Sequence, residues 1–431
     1  MKGTVGINAY IFQVCVAFML VVNSYGEIWY QPEQVHLSAT GNPTEMIVTW
    51  STFNDTESQV QFGVTVAKYT SSGSSTKFVD GGPEKHTQFI HRVKLTSLIP
   101  GTKYVYRCGS EKGWSLLFFF KAVENRTDWS PRFAIYGDMG NENAQSLARL
   151  QQGTQDGTLD VILHVGDFGY DLDTNNGHVG DEFMRQIEPV AAYVPYMTCA
   201  GNHESAYNFS NYKNRFTMPL YGDNQNLWYS WNINSAHIIS FSTEVYFFGD
   251  VSNETKTNQF KWLEADLMEA NKPERRAQYP WIITMGHRPM YCSDSDSDDC
   301  TKQRSLVRSA LEDMFYKYGV DLELWAHEHN YERLWPVYKE KVYNGSKEAP
   351  YTNPKAPVHI ITGSAGCKER HDLFLFSKPW DAFRSIDYGY SVMQIRNKTH
   401  LTWEQVSDDQ SGKVIDKFTL IKDRHGPEAW L

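Results

Sequence analysis

The chain has 431 residues, which is enough for two domains, and 41% hydrophobic with 21% charged residues is the composition of a folded globular protein. This composition excludes a largely disordered chain. The formal net charge of −10 argues against a nucleic-acid partner, because binding a phosphate backbone needs basic surfaces.

The first 26 residues predict a secretory signal peptide. Lys2 forms the basic start, an apolar stretch follows from about residue 7 to 22, and small residues near Gly26 offer a cleavage point. A transmembrane anchor is the alternative, but the run is short for a span and no charged stop follows it. We therefore expect a secreted chain with no membrane span after cleavage; a lysosome-like acidic compartment is the alternative location.

Two further patterns fit that route. Removal of Cys15 with the signal leaves an odd number of cysteines, too few for a disulfide scaffold. Cys292 and Cys300 bracket the acidic stretch SDSDSDD, so we predict a disulfide between them, with two independent thiols as the alternative. Six N-x-S/T sequons favour a glycoprotein, at Asn54, Asn125, Asn208, Asn253, Asn344 and Asn397.

Residues 27–123 read as short strands separated by turn signals such as GNP, DGGP and PGT, which predicts an all-β sandwich. The segment LIPGTKYVYRCG resembles the tyrosine-corner stretch of fibronectin type III domains, with Tyr104 as the corner residue. The polar stretch 124–131 ends in proline and is the predicted linker.

From residue 132 to 431 apolar runs of strand length alternate with longer amphipathic segments, which predicts a layered α/β domain with buried sheets. The last fifty or so residues return to strand-like alternation and are expected to extend a sheet edge.

Several of these apolar runs end in potential ligands. Ligands in layered α/β folds collect beyond the carboxyl ends of strands, so these ends should meet at one site. If the segment around residue 328 is extended, the two histidines flanking Glu328 face the same side, whereas Glu328 faces away. The residues concerned are Asp138, Asp167, Asn202, His203, Glu204, His287, His327 and His329.

The blocks GDMG, GDFGY, GNHE, GHRP and AHEH, in this order, resemble the signature of the metallophosphoesterases, specifically the purple acid phosphatases. Tyr170, three residues after Asp167, distinguishes this family from its calcineurin-like relatives. The resemblance covers nearly the whole mature chain and implies the large, plant-like form: an α-β-β-α layered catalytic domain behind a fibronectin type III-like sandwich.

The resemblance implies a pair of metal ions. Asp138, Tyr170 and His329 would bind Fe(III), and Asp167 would bridge the two ions. A second set, with Zn, Fe(II) or Mn as its ion, comprises Asn202, His287 and His327. A phenolate is a hard anionic donor suited to Fe(III), and the net charge of about +2 on such a core suits a small phosphorylated substrate despite the acidic surface.

The implied activity is hydrolysis of phosphate monoesters at acidic pH by a metal-bound hydroxide. His203 would contact the phosphoryl group or protonate the leaving oxygen, and Glu204 would orient His203. The alternatives are a phosphodiesterase or nucleotidase of the same superfamily, or a non-catalytic secreted binding protein. A homodimer is left open.

The chain departs from the family pattern at two places. Ala326 stands where the family usually has glycine, a change that we expect to be tolerated. The adjacent substrate-binding histidines of plant forms are missing after the GHRP block, and Arg288, Tyr291 and His371 are candidate replacements.

Overall fold

The computed structural model describes residues 28–126, 128–219, 225–248 and 252–430. The predicted signal peptide at 1–26 lies outside these ranges. Within them, no helix combines the length and apolar character that a membrane crossing requires.

The N-terminal part is a sandwich of two antiparallel sheets with strand orders β1-β2-β6-β5 and β4-β3-β7-β8, in which β9 also pairs with β7. Tyr104 lies on β7, and its hydroxyl accepts a hydrogen bond from the Ile99 backbone N–H at 2.9 Å, the contact expected of a tyrosine corner. The strands are β1 (Glu33–Ser38), β2 (Met46–Thr52), β3 (Gln59–Gly63), β4 (Tyr69–Ser72), β5 (Ser74–Val79), β6 (Thr87–Leu95), β7 (Lys103–Ser110), β8 (Gly113–Trp114) and β9 (Phe118–Lys121).

The strands of the second part are β10 (Arg132–Tyr136), β11 (Met139–Gly140), β12 (Val161–Val165), β13 (Phe168–Gly169), β14 (Tyr196–Cys199), β15 (Tyr229–Ile233), β16 (Ala236–Ser240), β17 (Trp281–Met285), β18 (Leu322–Trp325), β19 (Tyr331–Leu334), β20 (Val337–Tyr338), β21 (Lys341–Val342), β22 (Val358–Thr362), β23 (Asp381–Ser385), β24 (Gly389–Ile395), β25 (His400–Ser407) and β26 (Lys413–Ile421). The helices of this part are α1 (Leu147–Gln155), α2 (His178–Ala191), α3 (Ala206–Arg215), α4 (Asn253–Ala270), α5 (Pro273–Gln278) and α6 (Leu306–Lys317).

Two mixed sheets form the centre of this part. One has the order β14-β12-β10-β24-β25-β26, with β10, β12 and β14 parallel and the C-terminal strands antiparallel. The other has the order β15-β16-β17-β18-β22-β19-β23, with β16, β17, β18 and β22 parallel. Side chains from both sheets and from the helices share one hydrophobic core. The predicted layered α/β fold and the predicted sheet extension by the C-terminal strands are confirmed.

The apolar runs predicted as strands are strands, and α1, α4 and α6 occupy the amphipathic segments. Helix α2 was not predicted, because Gly180 and Pro189 within it are poor helix formers. Its buried residues Phe183, Ile187 and Val190 follow helical spacing and could have revealed it. The predicted linker at 124–131 stays a prediction.

Candidate metal centre

The parallel strands of both sheets deliver their following loops to one place. Asp138, Asp167 and Asn202 follow β10, β12 and β14, which are neighbours in one sheet. The predicted histidines follow β17 and β18, which are neighbours in the other sheet. The short strands β11 and β13 pair with each other and tie together the loops that carry Asp138 and Asp167. All seven predicted ligands are thereby brought together.

The first group of donors contains Asp138, Tyr170 and His329. The Tyr170 hydroxyl lies 2.6 Å from His329 Nε2, which in turn lies 3.7 Å from Asp138 Oδ1. Asp138 and Tyr170 are buried. Burial, together with the charges of Asp138 and Asp167, raises the pKa of the Tyr170 phenol well above its ordinary value, so a phenolate there needs a strong cation beside it.

The second group contains Asn202, His287 and His327. His287 Nε2 lies 3.1 Å from Asn202 Oδ1 and 3.2 Å from His327 Nδ1. Asp167 Oδ2 is 3.1 Å from the same His287 nitrogen, and the Asp167 carboxylate is buried. Asp167 therefore contacts the second group, and its loop pairs with the loop that carries Asp138 of the first group.

These residues fit a pair of metal ions. Asp138 Oδ1 is buried and has no hydrogen-bond partner in the described chain, although burying an unpaired carboxylate oxygen is unfavourable. The donors are carboxylates, imidazoles, one amide and one phenol, a set that provides ligands for a hard trivalent ion and for a borderline divalent ion. An ion at each group would satisfy the orphaned oxygen.

Hydrogen bonds outside the donor set orient the imidazoles. His287 Nδ1 lies 2.8 Å from the Val165 carbonyl oxygen, and His329 Nδ1 lies 3.0 Å from the Arg370 carbonyl oxygen. Each of these rings therefore donates from Nδ1 and presents Nε2 to the centre. His327 is reversed: its Nδ1 faces His287, and its Nε2 contacts Asp298.

The backbone at four ligands is left-handed, with φ of 59° at Asp138, 56° at Asp167, 58° at Tyr170 and 73° at His327. Such angles in non-glycine residues are strained and cluster at functional sites. The segment around Glu328 is not extended: β18 ends at Trp325, and the left-handed turn at His327 sends the two histidines to different donor groups.

Close packing behind the ligands depends on glycines. A Cβ on Gly201 would lie 2.1 Å from Asp167 Oδ1, so any side chain there would displace that carboxylate. The Ala326 methyl group is accommodated because Gly137 has no side chain. A Cβ on Gly137 would lie 2.3 Å from the Ala326 Cβ.

His203 lies beside the donors, and its partner differs from the predicted one. His203 Nδ1 is 2.8 Å from Asp171 Oδ1, and its backbone N–H donates to Asp167 Oδ1 at 3.1 Å. Burial alone would lower the pKa of His203, but the hydrogen bond to Asp171 and the charge of Asp167 raise it to about 9. Asp171 directly follows Tyr170, and this position next to a predicted ligand was the signal that could have revealed it.

The predicted role of Glu204 was wrong. Its carboxylate is 2% exposed and accepts hydrogen bonds from three backbone N–H groups, those of Asp167 (2.9 Å), Phe168 (2.9 Å) and Gly201 (2.8 Å). The partners of the His203 ring are Asp171, Asp167 and Glu369 instead. Glu204 therefore fixes the loop carrying Asp167 and the turn carrying Asn202.

A cavity of ≈ 320 Å³ opens over the centre, lined by Asp167, by loop residues 202–203, 327–329 and 369–372, and by Asp296 and Asp298. Of the candidate substrate residues, His371 lines it, whereas Tyr291 is buried and donates to Glu312. The Arg288 guanidinium lies behind His327 Nε2, 2.8 Å away, and also bonds Glu244. Tyr291, one of the three candidates, is therefore not placed to contact a substrate. Glu328 was expected to face away, but it too lines the cavity.

The structure joins Cys292 and Cys300 in a disulfide, whereas Cys108, Cys199 and Cys367 are buried free thiols. The sequon asparagines at 54, 125, 208, 253 and 397 are exposed, and Asn344 is half-buried.

Comparison with known proteins gives three family matches. Residues 32–122 match the purple acid phosphatase N-terminal domain, residues 131–331 match calcineurin-like phosphoesterase, and residues 356–417 match iron/zinc purple acid phosphatase-like protein C.

Relatives of nearly the same length show the same affiliation. The chain is 59% identical to acid phosphatase type 7 of Danio rerio, with 97% of this chain and 96% of the relative covered. It is 56% identical to acid phosphatase type 7 of Homo sapiens, with 95% of each covered. The structure of purple acid phosphatase PPD1 from yellow lupin (Lupinus luteus) seeds superimposes with a TM-score of 0.78 at 25% identity, covering 91% of this chain and 75% of that one. The chain therefore belongs to the purple acid phosphatase family of metal-dependent phosphatases.

Proposed function

We propose that the protein is a secreted acid phosphatase that hydrolyses phosphate monoesters at a mixed-metal pair. Asp138, Tyr170 and His329 would hold Fe(III), and Asp167 would be shared with a second ion, which would be Zn, Fe(II) or Mn. The ligands of that second ion are Asn202, His287 and His327. The observation that carries this proposal is the position of the Tyr170 hydroxyl, 2.6 Å from His329 Nε2. The same His329 nitrogen lies 3.7 Å from Asp138 Oδ1.

The metal pair, when bound, supplies Lewis acidity that activates water and offsets the charge of a phosphate dianion. His203 is placed to act on the leaving oxygen. Its Nδ1 is held by Asp171, and its Nε2 points toward the cavity, 3.9 Å from Asp167 Oδ2 and 3.8 Å from Glu369 Oε1. A proton carried on Nε2 can therefore be donated to the departing alcohol.

Operation at acidic pH is part of this proposal; it would come from the trivalent ion, whereas His203 only has to stay protonated there. The protonated form of His203 is favoured by the carboxylates around it, so the acid remains available at low pH. A trivalent ion also acidifies water more than a divalent one, which keeps the nucleophile available there. Secretion and glycosylation are supported by the exposed sequons and by the disulfide Cys292–Cys300, since disulfides persist in oxidising compartments.

The decisive test is elemental analysis of the purified protein combined with an absorption spectrum and a pH–rate profile on a generic phosphomonoester. We expect about two metal ions per chain, at least one of them iron, a visible phenolate-to-iron band and faster turnover below pH 7 than above it. Asp167→Ala should remove both iron and activity, and Asp173→Ala, on the same loop, should remove neither. Full activity of Asp167→Ala, or better hydrolysis of a diester than of the monoester, would contradict the proposal.

A further inference from the structure

A second group of carboxylates lies at the same cavity but uses none of the seven ligands: Asp296, Glu328 and Asp372 line the cavity, and Asp294 is buried beside Glu328. Asp294 and Asp296 lie in the loop that the Cys292–Cys300 disulfide closes, and Glu328 and Asp372 come from two other segments. Ligand oxygens of Asp296, Glu328 and Asp372 lie within 4.8 Å of one another, and a carboxylate oxygen of Asp294 lies within 4.8 Å of one from Glu328.

Two buried oxygens at this cluster have no partner. Asp294 is 6% exposed; its Oδ1 accepts from Asn330 Nδ2, but its Oδ2 has no hydrogen bond in the described chain. Asn330 is completely buried, and its side-chain oxygen also lacks a partner among the described residues. An unpaired buried oxygen is costly, and Asp294 Oδ2, on a carboxyl group beside Glu328, indicates a missing positive ligand.

The groups that do contact these carboxylates do not neutralise them. Asp296 Oδ1 accepts from the Asp298 backbone N–H at 3.2 Å, and Asp372 Oδ2 accepts from the His329 backbone N–H at 2.6 Å. The near neighbour of Glu328 Oε1 is Cys300 Sγ at 2.9 Å, which has no proton because it belongs to the disulfide. Burial and the charges of Asp372 and Asp296 raise the pKa of Asp294 to about 7, which is the consequence of like charges held together.

The chemistry of the donors selects the ion. The two cysteines nearby are bonded to each other and cannot act as thiolate ligands, so the available donors are oxygens. Oxygen-only donors suit hard cations such as Ca²⁺ and Mg²⁺ rather than zinc or copper. The donors come from separate loops, and two of them, Asp294 and Asp296, are alternate residues of one loop. Such a set matches the irregular coordination that Ca²⁺ accepts and Mg²⁺ does not.

We propose that Asp294, Asp296, Glu328 and Asp372 form a Ca²⁺ site next to the dinuclear centre. The disulfide keeps the loop carboxylates at the site, and the ion offsets their mutual repulsion. The proposal is independent of the phosphatase assignment, because the site requires no catalytic turnover.

The test uses the holoenzyme. The purified protein is treated with EGTA, returned to chelator-free buffer, checked for unchanged content of both metal ions of the dinuclear centre, and titrated with CaCl₂ by isothermal calorimetry. We expect one Ca²⁺ per chain and, in parallel scans, a higher melting temperature with Ca²⁺ than without it. Asp296→Asn removes an exposed ligand without disturbing the core and should weaken binding by at least about tenfold.

Glu348→Gln is the matched control, because it removes the same charge from an exposed position in another loop. It should bind Ca²⁺ as the parent protein does. The proposal is overturned if the parent protein binds no Ca²⁺ at millimolar concentration, if Asp296→Asn binds it equally well, or if Ca²⁺ releases iron or shifts its visible band.

Discussion

His203 Nδ1 and Asp171 Oδ1 lie 2.8 Å apart, and this hydrogen bond decides which nitrogen of the imidazole faces the cavity. Because Nδ1 is occupied, Nε2 is the nitrogen available to a substrate. Asp171 is 42% exposed, so the pair stands at the cavity rim rather than in the core.

Asp171→Asn should therefore lower kcat while leaving the metals in place. The amide cannot stabilise a protonated imidazole as the carboxylate does, so we expect a loss of about 10–100-fold in kcat, part of what general acid catalysis contributes. The basic limb of the pH–rate profile should also move to lower pH. Asp173→Asn is the control, and iron content measured on both variants should equal that of the parent. A variant with unchanged kcat and an unmoved basic limb would refute this role for the pair.

Tyr170→Phe removes one oxygen and should abolish the visible absorption band. Without the phenolate the first donor group loses an anion, so iron should be held more weakly, by at least the roughly 10–100-fold that follows the loss of an outer partner. The check is an absorption spectrum together with iron retained after dialysis against a chelator. Tyr207→Phe, at an exposed tyrosine, should keep both the band and the iron. Persistence of the band in Tyr170→Phe would show that another residue is the chromophore.

Glu204→Gln should destabilise the protein and disturb the metals without changing the pH dependence attributed to His203. The amide presents an NH₂ group to at least one of the three backbone N–H groups that the carboxylate accepts from, which leaves a buried donor unsatisfied at a cost of about 1–3 kcal/mol. Urea unfolding and elemental analysis would measure the two effects. If the stability is unchanged and only the acid–base profile moves, Glu204 acts on His203 after all.

The raised pKa of Asp294 predicts a dependence of stability on pH. Its pKa is raised from 3.8 to about 7, so between these values the folded protein keeps a proton that the unfolded chain releases. The free energy of unfolding should therefore decrease as pH rises through this window, by up to about 1.4 kcal/mol per pH unit.

Urea unfolding at several pH values from 4 to 7, in EGTA, tests this expectation. Asp294→Asn carries no titrating carboxyl at this position and should show a smaller slope than the parent. Equal slopes would mean that Asp294 ionises normally in the folded protein.

The sequence alone was sufficient for the elements that place the ligands. Residues 161–165 and 322–325 are apolar runs of strand length, and a strand that is buried on both faces leaves such a run in the sequence. Six of the seven donors were visible because they come soon after such strands, whereas Tyr170 was identified only through the family resemblance.

The backbone conformation of the ligands and the hydrogen-bond partners of the site residues could not be predicted from the sequence in this way. The left-handed backbone at His327 is imposed by tertiary packing, and no local pattern announces it. Glu204 was assigned to His203 because the two are adjacent in sequence, yet residues 202–204 form a short helical turn that sends neighbouring side chains in different directions. Asp298 contacts His327 from the loop that the Cys292–Cys300 disulfide closes. Contacts between side chains of separate loops follow no sequence periodicity, so this contact could not be predicted.

The pairing of β10 with β24 sets an order for biosynthesis. Residues 132–135 of β10 hydrogen-bond to residues 391–394 of β24, so one edge of the strand that precedes Asp138 stays open until almost the whole chain has left the ribosome. Contacts this distant in sequence close slowly. A metal ion that arrived before β24 had formed would meet an incomplete site, so metal loading at Asp138 is expected to follow the pairing of β24 with β10.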